Sequence, residues 1–436
     1  MTISVTVHRG TSTVGGSCIE IATEQTRLIL DLGLPLFDAN RDPLDSYQIR
    51  RLTNAEMKAS GFFPDVPGLF DDRPSPDAVL LSHAHLDHTG LLDRSSPYIP
   101  VYATAGTSKM ALAGALFANQ IAIPRERFRE LVPERPIVIG DFTITPYSVD
   151  HSIFHCVALL IEAEGKRVLY SGDLRLHGRK PGMHRRLIES FKDRRIDLLL
   201  MEGTHFGFPD GERITEYELE NAIVDEVANA PGLVLASFSP QHVDRLVGFI
   251  RAAKKTGRIF VADVYTAFVL HLVGNQIAVP VPGRDNDLRV YFPSKMIKSA
   301  ERKGISRKFT DLFEKCRIEI AEIVSTPENF LMVFRPSMLP DFTGGLPEYS
   351  TCIFSSWAGY LERPEWKSLT DPAQKNPLAL VPLHTTGHIL SEDIVRFVKS
   401  IAPRRLVPIH TFEPREFQRR FAKVILPRDG ETVVVA

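Results

Sequence analysis

Apolar residues in the first two hundred positions fall in short runs broken by turn residues. Residues 4–7, 17–21 and 27–32 read as successive strands, with Gly15-Gly16 marking a tight turn before the second. Residues 77–81 are a further apolar run, and 36–75, rich in Pro, Asp and Gly, read as a long loop holding one helix. A helical stretch follows at 107–120. From about residue 209 the rhythm changes. Thr215 and Glu218 form a capping box, and Leu219, Ile223, Val224 and Val227 then share one helical face. A strand at 233–236 leads to Ser239-Pro240, read as a helix start, and Val243, Leu246, Val247 and Ile250 make that helix's apolar stripe. With a strand at 258–262 this is a βαβ unit, which predicts a parallel sheet. The last segment repeats the pattern: a strand at 378–383, a helix capped by Ser391 with Ile394, Phe397 and Val398 inward, and a strand at 406–409. The expected architecture is α/β, with a first core segment at 1–208, an inserted α/β domain at 209–377, and a second core segment at 378–436.

Composition narrows the class. The chain has 436 residues, 44% hydrophobic and 24% charged, as an ordinary globular protein does. With 52 Lys plus Arg against 53 Asp plus Glu, the net charge is −1, which excludes a globally basic nucleic-acid coat but not a local basic groove. No apolar run approaches the roughly 18 residues of a membrane helix. The N-terminal MTISVTVHRG shows no signal-peptide pattern, so a cytoplasmic location and no membrane partner are expected. Cys18, Cys156, Cys316 and Cys352 form no CxxC pair and fit reduced thiols.

The chemistry concentrates in Ser82-His83-Ala84-His85-Leu86-Asp87-His88-Thr89-Gly90. Imidazole and carboxylate are the ligands zinc takes in catalytic sites. On a turning backbone after a strand, His83 and His85 can point one way and Asp87 and His88 another, which suits two adjacent metals. Other apolar strands also end in ligand-type residues: Asp150-His151, Ser171-Gly172-Asp173, Glu202, His384 with His388 beyond it, and His410. Such groups gather where strand ends converge on one rim. At this level His151 and His155, both in one loop, are equal candidates.

The order H-x-H-x-D-H, His151, Ser-Gly-Asp173 resembles the metallo-β-lactamase superfamily, with Asp31 in Leu30-Asp31-Leu32-Gly33 matching its early aspartate. The inserted domain, His384-Thr385-Thr386-Gly387-His388 and Pro408-Ile409-His410 resemble its β-CASP nuclease branch, and within it the ribonuclease J family. That resemblance implies a metallo-β-lactamase αββα sandwich with a β-CASP insert, and a zinc-dependent ribonuclease, exonuclease or endonuclease, in which two zinc ions per chain activate a bridging hydroxide. It implies His83, His85 and His151 on one zinc, Asp87, His88 and His410 on the other, and Asp173 bridging. His151 is preferred over His155 because Val149-Asp150-His151-Ser152-Ile153 resembles the family's Val-x-His-Ser-Ile. Asp87, Glu202 and His388 become the catalytic set, Glu202 orienting the metal loop and His388 lying near the scissile phosphate. A histidine at 410 favours RNA, single-stranded, as partner. A homodimer is carried as a candidate assembly.

Some positions depart from the family pattern. Glu202 stands where ribonuclease J usually has aspartate, Thr386 replaces serine, Ile389 replaces alanine, and Thr411-Phe412 follows His410. The chain ends soon after His410, so ribonuclease J's separate C-terminal domain is not expected. For gripping RNA, His384, the pair Ser355 and Ser356, and the basic residues Lys298, Arg302 and Arg307 are the candidates, with a second basic run from Arg175 to Arg186. Competing readings are a hydrolase of small esters, lactones or phosphodiesters on the same core, and an inactive RNA-binding subunit.

Overall fold

The computed structural model describes residues 2–209, 213–285, 287–371 and 378–435. The chain divides into two compact units, one of Met1–Leu176, Lys180–Glu212 and Gly387–Ala436, the other of His177–Arg179 and Arg213–Thr386.

The first unit is built on two sheets. One holds β1 (Ile3–Arg9), β2 (Cys18–Ala22), β3 (Arg27–Leu30), β4 (Ala78–Leu80), β5 (Val101–Thr104) and β6 (Phe128–Leu131), with β19 (Thr432–Val435) on the outer side of β1. The other has the order β18 (Arg405–Ile409), β11 (Leu198–Glu202), β10 (Lys166–Tyr170), β9 (Val157–Ala163), β8 (Phe142–Ser148), β7 (Ile137–Ile139). Alternation sets the interface between them. Ile3, Val5 and Val7 of β1, Leu28 and Leu30 of β3, Leu159 and Ile161 of β9, and Leu198 and Leu200 of β11 form one buried cluster. The intervening Ile29, Leu169, Leu199 and Met201 are buried as well, so the central strands are covered on both faces, and near-continuous apolar runs result. This is a mixed α/β fold of sandwich type.

The second unit carries one all-parallel sheet, ordered β14 (Leu288–Tyr291), β13 (Ile259–Asp263), β15 (Phe330–Val333), β12 (Val234–Ser237), β16 (Thr351–Phe354), β17 (Ala379–Pro382). The capping box forms as read: Thr215 N–H donates to Glu218 at 2.8 Å, and Glu218 N–H to the Thr215 hydroxyl at 3.2 Å, opening the helix Glu216–Asn229.

Four expectations need correction. The strand read at 378–383 pairs in parallel with β16, not with the strand carrying 406–409, so the boundary falls between Thr386 and Gly387 and not at 377/378. Ser239 does not cap a helix: Ser239–Gln241 make a turn, and the helix is Val243–Lys255 with His242 at its N-cap. Ser391 is the first helical residue of Ser391–Ile401 and spends its hydroxyl on the carbonyl of His205. The loop 36–75 holds two short helices, Ser46–Ile49 and Asn54–Ala59, where one was expected. The four cysteines are free and buried. Among the described residues, no helix is long and apolar enough to cross a membrane.

Candidate metal centre

Strands β8, β10, β11 and β18 all run in one direction, so their carboxyl ends share an edge of the second sheet. Glu202 closes β11, and His151, Asp173 and His410 stand just beyond the ends of the other three. From the first sheet, β4 delivers Ser82 and His83, and the short helix Leu86–Thr89 carries Asp87 and His88. Gly33 allows this helix to sit against the exit of β3. A Cβ at Gly33 would lie 1.7 Å from the Asp87 carbonyl oxygen. Leu32 and Leu34 N–H groups donate to the His88 and Leu86 carbonyls at 2.8 and 2.9 Å.

Asp31, at φ 57°, anchors the cluster from beneath. Its carboxylate accepts from Ser82 N–H and Ser82 Oγ at 2.7 Å each and from the Tyr170 hydroxyl, and lies 2.7 Å from His88 Nδ1. Since a carboxylate only accepts, His88 carries its proton on Nδ1. The same logic assigns three more rings. Ser82 Oγ gives its proton to Asp31, so it accepts from His83 Nδ1 at 2.9 Å. The Gly387 carbonyl accepts from His151 Nδ1 at 2.5 Å. Thr204 Oγ1 donates to Glu202 at 2.9 Å and therefore accepts from His410 Nδ1 at 2.9 Å. Four imidazoles are thus held by Nδ1, leaving four Nε2 lone pairs turned inward, which is how ligating histidines are oriented.

Those lone pairs meet with too few protons between them. His85 Nδ1 lies 3.1 Å from both His83 Nε2 and His151 Nε2, and a single Nδ1–H could serve only one. His410 Nε2 is 3.1 Å from Asp87 Oδ2, and His88 Nε2 is 3.1 Å from Asp173 Oδ2, yet His88 Nε2 and Asp173 Oδ2 are buried without a hydrogen bond. Ligand atoms 2.0–2.1 Å from a tetrahedral zinc stand about 3.3 Å apart, close to these separations. Among the described residues the donors form three groups: His83, His85 and His151; Asp87, His88, Asp173 and His410; and, overlapping the second, Asp173, Glu202, His388 and His410. Asp173 Oδ2 is also 3.8 Å from His83 Nε2 and 3.9 Å from His151 Nε2, so it borders the first group too. The donor set fits divalent cations.

Electrostatics agree. Burial pushes His85 down to about 4, and His83 and His151 well below the ordinary histidine value, so all three are neutral at pH 7, the form that could hold a cation. Burial also opposes charge on His88, but Asp173, Asp87 and Asp31 outweigh it and hold its pKa well above the ordinary value, so in the cation-free cluster a proton takes the Nε2 position that a cation would otherwise occupy. That surplus of negative charge is what cations would neutralise. His410, like Asp31, has a left-handed backbone (φ 50°), and its N–H is tied to the Gly10 carbonyl at 2.7 Å. Such conformations in non-glycine residues gather where the surroundings impose them.

Glu202 is wholly buried and accepts from Leu174 N–H at 3.0 Å, which holds the segment carrying Asp173. His388 Nδ1 lies 3.3 Å from each Glu202 oxygen. His155 is kept out: Gly106 N–H donates to its Nδ1 at 3.3 Å and its carbonyl takes the Thr104 and Thr107 hydroxyls. Of the substrate candidates, Lys298, Arg302 and Arg307 are exposed on the helices Ser294–Arg302 and Ser306–Phe313. His384 is exposed, and Ser356 is half-buried. Ser355 is not available: its buried hydroxyl donates to the Leu383 carbonyl and accepts from Arg245. Arg175 is buried against Asp150 and leaves the second basic run. The Thr204 relay and Arg245 escaped sequence reading, since neither stands in a ligand-like motif.

Residues 50–216 match the Beta-lactamase superfamily domain, a span that includes His83 through Glu202. Those residues carry a domain of the metallo-β-lactamase superfamily, and the chain as a whole is similar to ribonuclease J-like proteins of the β-CASP branch. It is 22% identical to Ribonuclease J of Pyrococcus abyssi over 92% of this chain and 88% of that one. It is 25% identical to an RNase J-like protein of Methanocaldococcus jannaschii over 59% of this chain and 57% of the relative. It is 26% identical to Transcription termination factor FttA of Methanothermobacter thermautotrophicus, covering 60% of this chain and 41% of that protein. A crystal structure of a protein of unknown function from Enterococcus faecalis shares the fold along the full length of both chains, with a TM-score of 0.78 at 24% identity.

Proposed function

We propose that this metal-dependent hydrolase cuts single-stranded RNA at phosphodiester bonds, using two zinc ions held by His83, His85 and His151 and by Asp87, His88 and His410, with Asp173 shared. The observation that carries the reading is the set of inward lone pairs, each fixed by a hydrogen bond at the far side of its ring. When bound, such ions supply a hydroxide nucleophile at neutral pH and offset charge on the phosphoryl oxygens.

The chain's own residues do the rest. Asp31, Ser82, Thr204 and the Gly387 carbonyl fix ring orientation, so little reorganisation is needed during reaction. Glu202 holds the Asp173 segment and orients His388. Held at Nδ1 by Thr204 Oγ1 at 3.1 Å and the Glu202 oxygens at 3.3 Å, His388 donates a proton to a phosphate or leaving oxygen. Lys298, Arg302 and Arg307 contact backbone phosphates, and His384 and Ser356 serve as neutral contacts. The relatives named for ribonuclease activity support RNA as the substrate.

The test uses zinc-loaded protein and single-stranded RNA labelled at either end, beside a small ester and a chelated control. Expected is RNA cleavage abolished by chelation and restored by zinc. A fully metal-loaded protein that hydrolyses the ester and leaves RNA intact would overturn the assignment.

A further inference from the structure

The insert unit buries a guanidinium. Arg245, in the first turn of the helix Val243–Lys255, has no exposed side-chain surface. Glu216 takes its Nε at 3.1 Å and its Nη2 at 2.8 Å, a two-pronged pair. The remaining hydrogens go to the ends of two neighbouring strands. Nη2 also donates to the Thr385 carbonyl at 3.2 Å. Nη1 serves the Ser355 hydroxyl, the Ser355 carbonyl at 3.2 Å and His384 Nδ1 at 3.3 Å, three acceptors sharing two hydrogens.

A guanidinium has five N–H donors and no acceptor, so His384 Nδ1 in this contact must be an unprotonated acceptor. Its proton then sits on Nε2. In an imidazole the two nitrogens diverge, so this N–H is turned away from the guanidinium, on a residue that keeps exposed surface. We propose that Arg245 is a positioning residue that fixes His384 as a neutral Nε2–H donor to a phosphate oxygen of the RNA strand, with the same strength throughout the physiological pH range. The phosphate as ligand rests on the ribonuclease reading; the fixed tautomer does not.

The charged groups around His384 are Arg245 and His242 on one helix and Glu216 on the next. Although the residue keeps exposed surface, the packing that desolvates its ring, then Arg245 and His242, push the imidazole down to about 3, and the Ser355 carbonyl and Glu216 oppose this without reversing it. The Ser355 carbonyl is the competing partner for an Nδ1 proton, but it already takes Arg245 Nη1, and an N–H at Nδ1 would face a cation 3.3 Å away. A protonated histidine here would give a contact that strengthens in acid and weakens with salt. A neutral donor gives a directional contact that does neither.

Two measurements on the full chain test this. In nitrogen-15 spectra of histidine-labelled protein, with His384→Gln identifying the resonance, His384 should be protonated at Nε2 alone and unchanged from pH 5.5 to 8. A proton at Nδ1, or titration near pH 6.5, overturns the inference. With zinc-loaded protein and a labelled single-stranded RNA, His384→Gln keeps an uncharged N–H near the Nε2 position and should hold KM within about threefold, whereas His384→Leu should raise KM about tenfold with kcat nearly unchanged, the scale of one hydrogen bond. The paired change Arg245→Met with Glu216→Gln, which leaves neither charge alone, should add an acid-side ionisation to KM. Equal losses in the Gln and Leu variants, or a flat profile in the folded pair variant, overturn it too. If the paired variant fails to fold, the wild-type spectrum decides. Failure to cleave RNA despite full metal content would break the ribonuclease reading and leave the tautomer result standing.

Discussion

Both units place polar groups beyond the carboxyl ends of parallel strands, yet the two clusters are satisfied in opposite ways. In the insert, Arg245 brings the hydrogens that Glu216, Ser355, Thr385 and His384 accept, and the charges cancel internally. In the core, His83, His88, His151 and His410 are each held by a hydrogen bond on the outer side of the ring, and their inner atoms crowd one another and the carboxylates. A cluster that closes on itself holds structure and presents a single outward donor. A cluster left short of positive charge calls for a cation. Burial alone does not separate the two, since both are deep; the count of protons against acceptors does.

The largest expected effect is at the residue that the two proposed ion sites share. Asp173→Ala should lower zinc content below the proposed two ions per chain and cut RNA cleavage by at least about a thousandfold, beyond the loss typical of one oxyanion donor. Elemental analysis beside single-turnover rates checks this. Full zinc content in the variant would show that the two groups do not depend on a shared carboxylate. Gly33→Ala comes next, because its Cβ would fall 1.7 Å from the Asp87 carbonyl oxygen, which is backbone and has no easy retreat. A loss of about 3 kcal/mol or more in unfolding free energy is expected, together with weakened metal binding.

On the insert side the comparison predicts an asymmetry. Arg245→Met alone leaves Glu216 buried beside His242, 3.2 Å away, and should cost about 3–5 kcal/mol in urea unfolding. Removing both charges together should cost clearly less. In the core, Asp31→Asn keeps the shape but weakens the hold on His88 Nδ1, and zinc affinity should fall about 10–100-fold with the fold intact. If Asp31→Asn unfolds the protein and leaves metal affinity unchanged, the roles assigned to the two clusters are reversed.

How much of this could be read in the chain depended on distance along it. His83, His85, Asp87 and His88 stand within six positions, and Ser-Gly-Asp173 follows a strand of clear apolar character, so local pattern sufficed. The partners that orient them did not share that advantage. Thr204 joins His410 across 206 positions, and Arg245 reaches Ser355 across 110, with no motif around either. Ser355 looked like a free hydroxyl for that reason. Sheet membership was lost similarly: 379–382 has a strand's pattern, but nothing local says that it lies beside β16. Helix starts failed by a residue or more because a serine caps only where the preceding backbone lets it, as at Ser391, whose hydroxyl goes to His205.

The smallest effect lies far from both clusters, on the first sheet. Glu20 of β2 lies 3.0 Å from His8 Nε2 and accepts from Arg27 Nε at 2.7 Å. Burial opposes its ionisation, but the hydrogen bonds and charges of His8 and Arg27 prevail and bring its pKa down to about 2. An unfolded glutamate titrates near 4.3. Because the folded value is the lower one, the unfolded chain binds more protons between these limits, and stability falls as pH drops through that window. The contribution is complete above about pH 5 and lost by about pH 2, and amounts to at most about 3 kcal/mol for a shift of this size. Glu20→Gln removes the titrating group while keeping an acceptor for Arg27. Plotted against pH, the stability difference between the parent and Glu20→Gln should be constant from pH 8 to 5 and shrink below it. A difference that stays flat to pH 3 would show that the Glu20 pair contributes packing and no charge.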